Sequence, residues 1–377
     1  MLRIRHWQPC PYIRDREVSL ASRDGQKVAL LVPVPTLPNP ACHGRGLTKL
    51  RTLILAPFDP LQLDRLRAAV PVEYESWLDT RRLTDPEELA ARIHRSRISI
   101  LVVEAEFVFE ETFDDAPGLQ FVGICRGSTD HIDVEAATRH RIVVVNTPAR
   151  NARAVAEHAL GLMFALARKI PQAHSHVASG QWENPVEPYI SMRGIEMQGR
   201  AAGIVGLGAI GSELARMCAA LGMDVIAHDP FAASPPPGIH MTSLKTLASN
   251  SDFISVHLPA AADTDGMIDA GMISRMKRSA FLINCSDPSV IDQAALVRAL
   301  DSGGIGGAAF DVFDTHPIAP DNPLMGLDNV VFTPHIGGAT AETIRRHSEM
   351  MTDDILRFTR GQRPVNIVNP EVWKRYG

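Results

Sequence analysis

Cysteine is scarce and scattered in this sequence. Among 377 residues there are five, Cys10, Cys42, Cys125, Cys218 and Cys285, an odd number without metal-ligand spacing. Neither a disulfide framework nor a metal site is expected, and the thiols read as small buried hydrophobes, reduced in a cytoplasmic protein. Net charge is low as well, −5, so nothing points to nucleic acid or to an anionic membrane as a partner. Uninterrupted apolar runs of transmembrane length (about 18 residues or more) are missing. The short apolar run 28–34 is broken by Pro33 and followed by further prolines, and it lacks the frame of a signal peptide. Lasting periodicity is missing from residues 1–50, which are expected to form a poorly ordered N-terminal extension.

What is present is an ordinary globular composition, 45% hydrophobic and 21% charged, on a chain long enough for two domains. From Thr52 onward, short apolar runs alternate with helical spacing. Strands are expected over 52–58, 72–77, 98–105, 119–125 and 142–146, with helices over 60–70 and 85–95. Continuous apolar runs of this kind suit parallel strands covered on both faces. A long helix over 151–169 follows, then a polar stretch, 175–199, that reads as a surface excursion and an oligomer arm. A second series begins at Ala201, with six strands over 202–205, 224–228, 253–258, 280–285, 308–313 and 330–334 and helices between most of them. The fold class is therefore α/β, with two doubly wound parallel-sheet domains. The last helix, 341–360, is expected to return to the first domain. The substrate domain then comprises 51–148 and 341–377, and the Rossmann dinucleotide-binding domain 149–340.

Gly206, Gly208 and Gly211 fit a glycine turn between a strand and an amphipathic helix. The first glycine permits the tight turn, the second lets a pyrophosphate approach, and the third lets the helix pack against the sheet. With Ala209 and Ile210 at the helix start, amide groups and the helix dipole attract phosphates. Asp229 closes the next strand, where an acid accepts from ribose hydroxyls and disfavours a 2′-phosphate, so NAD is expected over NADP. Ligands of open α/β sheets bind at the carboxyl ends of the strands. That rule gathers Leu258, Pro259, Cys285, Asp287, Asp311, His316 and His335 at one crevice. His335 is followed by Gly337, and a histidine exchanges protons near neutral pH, as carbinol chemistry requires.

Several stretches together resemble the D-isomer-specific 2-hydroxyacid dehydrogenases. They are Ile142 to Pro148 leading into Ala154 to His158, Gly206–Gly211 with Asp229, Ser255 to Pro259 with Thr264, Gly307 to Phe313, and Thr333 to Gly338. Cys125-Arg126-Gly127, Arg150-Asn151 and Asn369-Pro370-Glu371 look like one branch of that family. The resemblance implies hydride transfer between nicotinamide and the carbinol carbon of a 2-hydroxy acid, with His335 as acid–base. It also implies that Asp311 and the backbone near Cys285 hold the nicotinamide carboxamide, and that the chain pairs as a homodimer through its arm.

Two positions depart from the family pattern. Its arginine lies in an Asn-x-x-Arg-Gly context, and here Asn284-Cys285-Ser286-Asp287-Pro288 puts an aspartate there. Its glutamate precedes a proline after the fifth strand, where His316 precedes Pro317. Two like charges about 4 Å apart repel by roughly 4 kcal/mol at an effective dielectric near 20, so an ionised Asp287 disfavours a substrate carboxylate. Three readings follow. The first is a dehydrogenase with a relocated clamp drawn from Arg126, Arg150 or Arg153, with Gly127 and Glu104 also on the substrate side and Asp287 paired with His316 or an arginine. The second is an altered reaction, either an elimination or isomerisation with resident NAD or the oxidation of a substrate lacking the carboxylate. The third is a non-catalytic NADH-responsive binding protein.

Overall fold

The computed structural model describes residues 13–21, 27–35, 50–232 and 234–374, and contacts divide the chain into residues 1–48 and 49–377. In the first unit β1 (Ile13–Ala21) and β2 (Lys27–Pro35) form an antiparallel ladder, Ile13 opposite Pro35 and Ala21 opposite Lys27. The extension therefore contains an antiparallel strand pair where no lasting period was expected. Its prolines hid the signal, yet a two-stranded ribbon is all edge, and edges tolerate proline. The rest of the extension lies outside the described residues.

The second unit holds two parallel sheets. The first contains β3 (Thr52–Ile54), β4 (Val72–Tyr74), β5 (Ile100–Val103), β6 (Phe121–Ile124) and β7 (Val143–Asn146), in the order β4-β3-β5-β6-β7. Alternate residues feed opposite faces: Leu53, Leu101, Val122 and Val144 enter one core, and Ile54, Val102, Phe121 and Val143 enter the other. Both faces are covered, which is why these strands read as unbroken apolar runs. The helix Ala341–Thr359 returns to the second of these cores through Met351, Ile355 and Phe358. Asp59-Pro60 and Asp85-Pro86 start two helices identically. Each aspartate accepts from two first-turn amides, and each proline fills a position that has no intrahelical donor to lose.

The second sheet holds β8 (Ala201–Val205), β9 (Asp224–His228), β10 (His240–Met241), β11 (Phe253–Val256), β12 (Phe281–Asn284), β13 (Gly307–Phe310) and β14 (Val330–Phe332). Their order is β10-β9-β8-β11-β12-β13-β14, with every pairing parallel. The order reverses between β8 and β11, which marks the crevice where such sheets take ligands. Seven strands stand here against six expected, because two-residue β10 is too short to show a period. The stretch 175–199 is also more regular than expected. The helix Ile170–Ala178 runs into it and the helix Val186–Ser191 lies within it, and neither has a buried residue. No helix among the described residues is long and apolar enough to cross a membrane.

Candidate active site

The turn after β8 carries out the packing its glycines suggested. Gly206 has φ +90°, a left-handed conformation that costs glycine little, and a side chain there would strike the His257 carbonyl. A side chain on Gly211 would strike the Gly206 carbonyl, so the helix Ala209–Ala220 could not sit so close to β8. Asp229, half-buried, accepts from the Leu207 amide at 2.7 Å and from the Phe231 amide at 2.8 Å. The acid expected at the ribose therefore also ties the glycine turn to the end of β9. Thr264 fixes the loop after β11 in a comparable way. Its hydroxyl donates to the Pro259 carbonyl at 2.6 Å and accepts from the Ala261 amide.

Asp311, 2% exposed, organises the loop that carries His335. It accepts from the Thr333 hydroxyl at 2.6 Å, the Ile336 amide at 2.9 Å and the Gly337 amide at 2.7 Å. Because Thr333 gives its only proton to Asp311, its oxygen accepts from His158 Nε2 at 2.9 Å, which assigns that proton to Nε2. Burial alone would raise the Asp311 carboxyl, but hydrogen bonds from His158, Thr333, Ile336 and Gly337 hold it at about 2. A Cβ on Gly337 would lie 2.9 Å from Asp311 Oδ2, so this glycine makes room for the carboxylate. The clamp holds His335 at φ +56°, a conformation non-glycine residues rarely adopt.

The His335 ring is exposed at the mouth of the cleft, with Nδ1 3.1 Å from Nε2 of His316. Desolvation by the cleft wall lowers its pKa. Asp311 pulls it upward, while His316 and Arg126 push it further down. Asp287 does not join this pair. Its Oδ1 accepts from the Ser289 amide at 2.9 Å and caps the 3₁₀ turn Pro288–Val290, while the Asn284 side chain donates to its carbonyl. The expected pairing of Asp287 with His316 or an arginine is absent among the described residues. The Asp-Pro pair caps a turn instead, as this dipeptide commonly does.

The three candidate arginines separate clearly. Arg150 is bound to Glu104 at 2.6 Å and to His347 Nδ1 at 2.9 Å, so its charge is already met by Glu104 rather than free for an anion. Arg153 lies on the surface, paired with Glu157 and Glu213. Arg126 is half-buried in the cleft wall, and among the described residues its guanidinium has no acid partner. Gly127, beside it, accepts from the Asn146 side chain through its carbonyl.

One cavity of about 1210 Å³ collects most of these groups. Arg126, Arg150 and Glu104 line one side, and His335, Asp311 and Asp287 line the other. Ile210, Leu258, Pro259 and Cys285 complete the dinucleotide side, while Ala209 is exposed at the helix start. The Cys285 thiol is pushed up to about 12 by burial and by Asp311, so it is no nucleophile.

A model of the D-isomer-specific 2-hydroxyacid dehydrogenase NAD-binding domain matches residues 160–337. The glyoxylate reductase of Korarchaeum cryptofilum is 40% identical over 70% of this chain and 80% of its own length. The chain belongs to the D-isomer-specific 2-hydroxyacid dehydrogenase family. A second family member, the D-3-phosphoglycerate dehydrogenase of Archaeoglobus fulgidus, is 36% identical over 85% of this chain, which spans only 59% of that relative. The Aquifex aeolicus D-lactate dehydrogenase, solved with NAD and lactic acid, superposes with TM-score 0.68 at 26% identity, covering 85% of this chain and 99% of its own.

As in a family member, residues 160–337 form an NAD-binding domain. The local geometry fits that cofactor. The helix Ala209–Ala220 has no side-chain cap, so its first amides are uncommitted, and the space where a Gly208 side chain would stand is open. Two features have no signal in the sequence. His158 supports the His335 loop through Thr333, and buried His347 donates from Nε2 to the Pro57 carbonyl while accepting from Arg150. Both partners lie far off along the chain, and no local pattern announces them.

Proposed function

We propose that this chain is an NAD-dependent oxidoreductase acting on a small 2-hydroxy or 2-oxo acid. His335 is its acid–base, and Arg126 its anion receptor. The observation that carries the reading is the shared cavity: the end of the glycine turn, His335 and an uncommitted arginine all line it. NAD, when bound, supplies the hydride acceptor or donor. The protein's part is to hold and orient. The open helix start takes the pyrophosphate, Asp229 takes ribose hydroxyls, and Leu258, Pro259 and Cys285 wall the nicotinamide side. Arg126 holds the carboxylate across from His335, which moves the hydroxyl proton. Asp287 stands where the family's arginine is expected and His316 where its glutamate is expected, so charge at the clamp is relocated to Arg126. The relatives give no support to an altered reaction or to a non-catalytic role.

Melting with each dinucleotide and assays on a panel of acids test this. NAD at about 100 times its dissociation constant should stabilise the chain by roughly 2.7 kcal/mol, several degrees of Tm, with a smaller shift from NADP. At least one 2-hydroxy acid should turn over with NAD, or one 2-oxo acid with NADH. No NAD shift together with no turnover would overturn the assignment.

We also assign the arm to a homodimer contact. Ile170, Val177, Trp182, Val186, Tyr189 and Ile190 are each more than half exposed within a short stretch, a concentration of apolar surface that isolated chains avoid. Sedimentation at micromolar concentration should give twice the chain mass, and a monomer there would refute the contact. The three described cysteines are free and buried, which suits a cytoplasmic enzyme.

A further inference from the structure

We propose that His316 is the outlet of a two-histidine proton relay, which carries the substrate's hydroxyl proton from His335 to solvent during oxidation. This rests on the dehydrogenase reading above.

The geometry is direct. His335 Nδ1 and His316 Nε2 lie 3.1 Å apart, with ring centroids separated by 5.0 Å. His335 lines the cleft and His316 does not, while the His316 ring is solvent-exposed and meets the edge of Phe313 on its other side. The pair therefore spans from substrate cavity to bulk water. Between two neutral imidazoles at this distance there is room for one proton. With that proton on His335 Nδ1, the opposite nitrogen, Nε2, is a bare base.

The proton path balances. As the carbinol carbon loses its hydride, the substrate O–H bond breaks and its proton joins His335 Nε2. The Nδ1 proton crosses to His316 Nε2, and the proton on His316 Nδ1 leaves to water. One proton enters from the hydroxyl and one exits to solvent.

The consequence lies in what the partner does to charge. A carboxylate beside a histidine stabilises imidazolium and keeps an acid ready for reduction. A second imidazole stabilises it weakly, and repels it once itself protonated. Of the charged groups on the neighbouring elements, Asp311 opposes the base form of His335 and Arg126 supports it. After β13, Asp311 is spent on Thr333 and two amides, so it acts on His335 through its field alone. Arg126, from the loop after β6, pushes the other way. His158, from the long helix Ala152–Arg168, bonds Thr333 rather than the ring. Asp287 caps its own turn, and Asp314 has no hydrogen bond to either ring among the described residues. Base-form His335 thus persists below the ordinary histidine range, and oxidation keeps its base where a carboxylate-paired enzyme would lose it.

Histidine-ring NMR titration of the full chain, with His316→Asn and His335→Asn for assignment, reads the pair without turnover. The His335 midpoint should lie below about 6.5 and move when His316 is replaced. His316→Glu should raise it by a unit or more. The acid limb of the oxidative kcat/KM profile should move up in pH by the same amount, so that oxidation on that limb slows about tenfold per unit. His316→Phe and His316→Gln should both slow oxidation several-fold, since glutamine can hold the His335 ring but cannot pass its proton on. A His335 midpoint unmoved by both His316→Asn and His316→Glu would overturn the relay. Coupled titration in a chain that turns nothing over would uphold the pair and sink the dehydrogenase reading instead.

Discussion

His335→Asn is expected to lower kcat by about 10²–10⁴ in both directions, the range general acid–base groups supply. Asparagine is the right probe because position 335 has φ +56°, and asparagine tolerates that conformation better than alanine. The Asp311 clamp reaches Thr333, Ile336 and Gly337 but not the imidazole, so the loop should survive the exchange. Tm should fall little, and the NAD-induced shift should match the parent's, since the helix Ala209–Ala220 and Asp229 make no hydrogen bond to the ring. Added imidazole should recover part of the lost rate. Turnover within threefold of the parent would mean that the proton moves elsewhere, and the acid–base role would pass to another group on the cavity wall.

The fold was legible because its evidence is local and periodic. Ile100–Val103 and the three valines 143–145 are apolar on consecutive positions, which only a sheet covered on both faces buries so completely. The glycine turn was legible because Gly206 and Gly211 each stand where any side chain would meet a carbonyl. The strand-end rule brought His335 and His316 together, and they do meet, although only His335 lines the cavity. Hydrogen-bond economy was hidden. The strand-end rule put Asp287 and Asp311 near the chemistry, and the relocated-clamp reading added Glu104, yet each spends its carboxylate on protein partners: a turn amide, the His335 loop, and Arg150. Nothing in a sequence says which of Arg126, Arg150 and Arg153 is already neutralised, because Glu104 and His347 reach Arg150 from distant segments.

That distinction makes Arg126→Gln the sharpest remaining test. A charge-assisted hydrogen bond contributes about 1.5–3 kcal/mol, so kcat/KM for carboxylate substrates should fall by roughly 10- to 150-fold. The same substitution has a second effect that loss of packing would not produce. Arg126 helps hold the His335 pKa down, so removing its charge should let that pKa rise. His335 must be neutral to accept a proton, so the acid limb of the oxidative pH profile should move to higher pH, while reduction, which needs imidazolium, should extend upward. Arg150→Gln should behave differently. It leaves Glu104, 13% exposed in its side chain, without its cation and His347 without its donor, so its main effect should be on Tm. An anion clamp at Arg126 is refuted if kcat/KM and the pH limb both stay at parent values. It is equally refuted if Arg150→Gln alone weakens carboxylate binding with its fold intact.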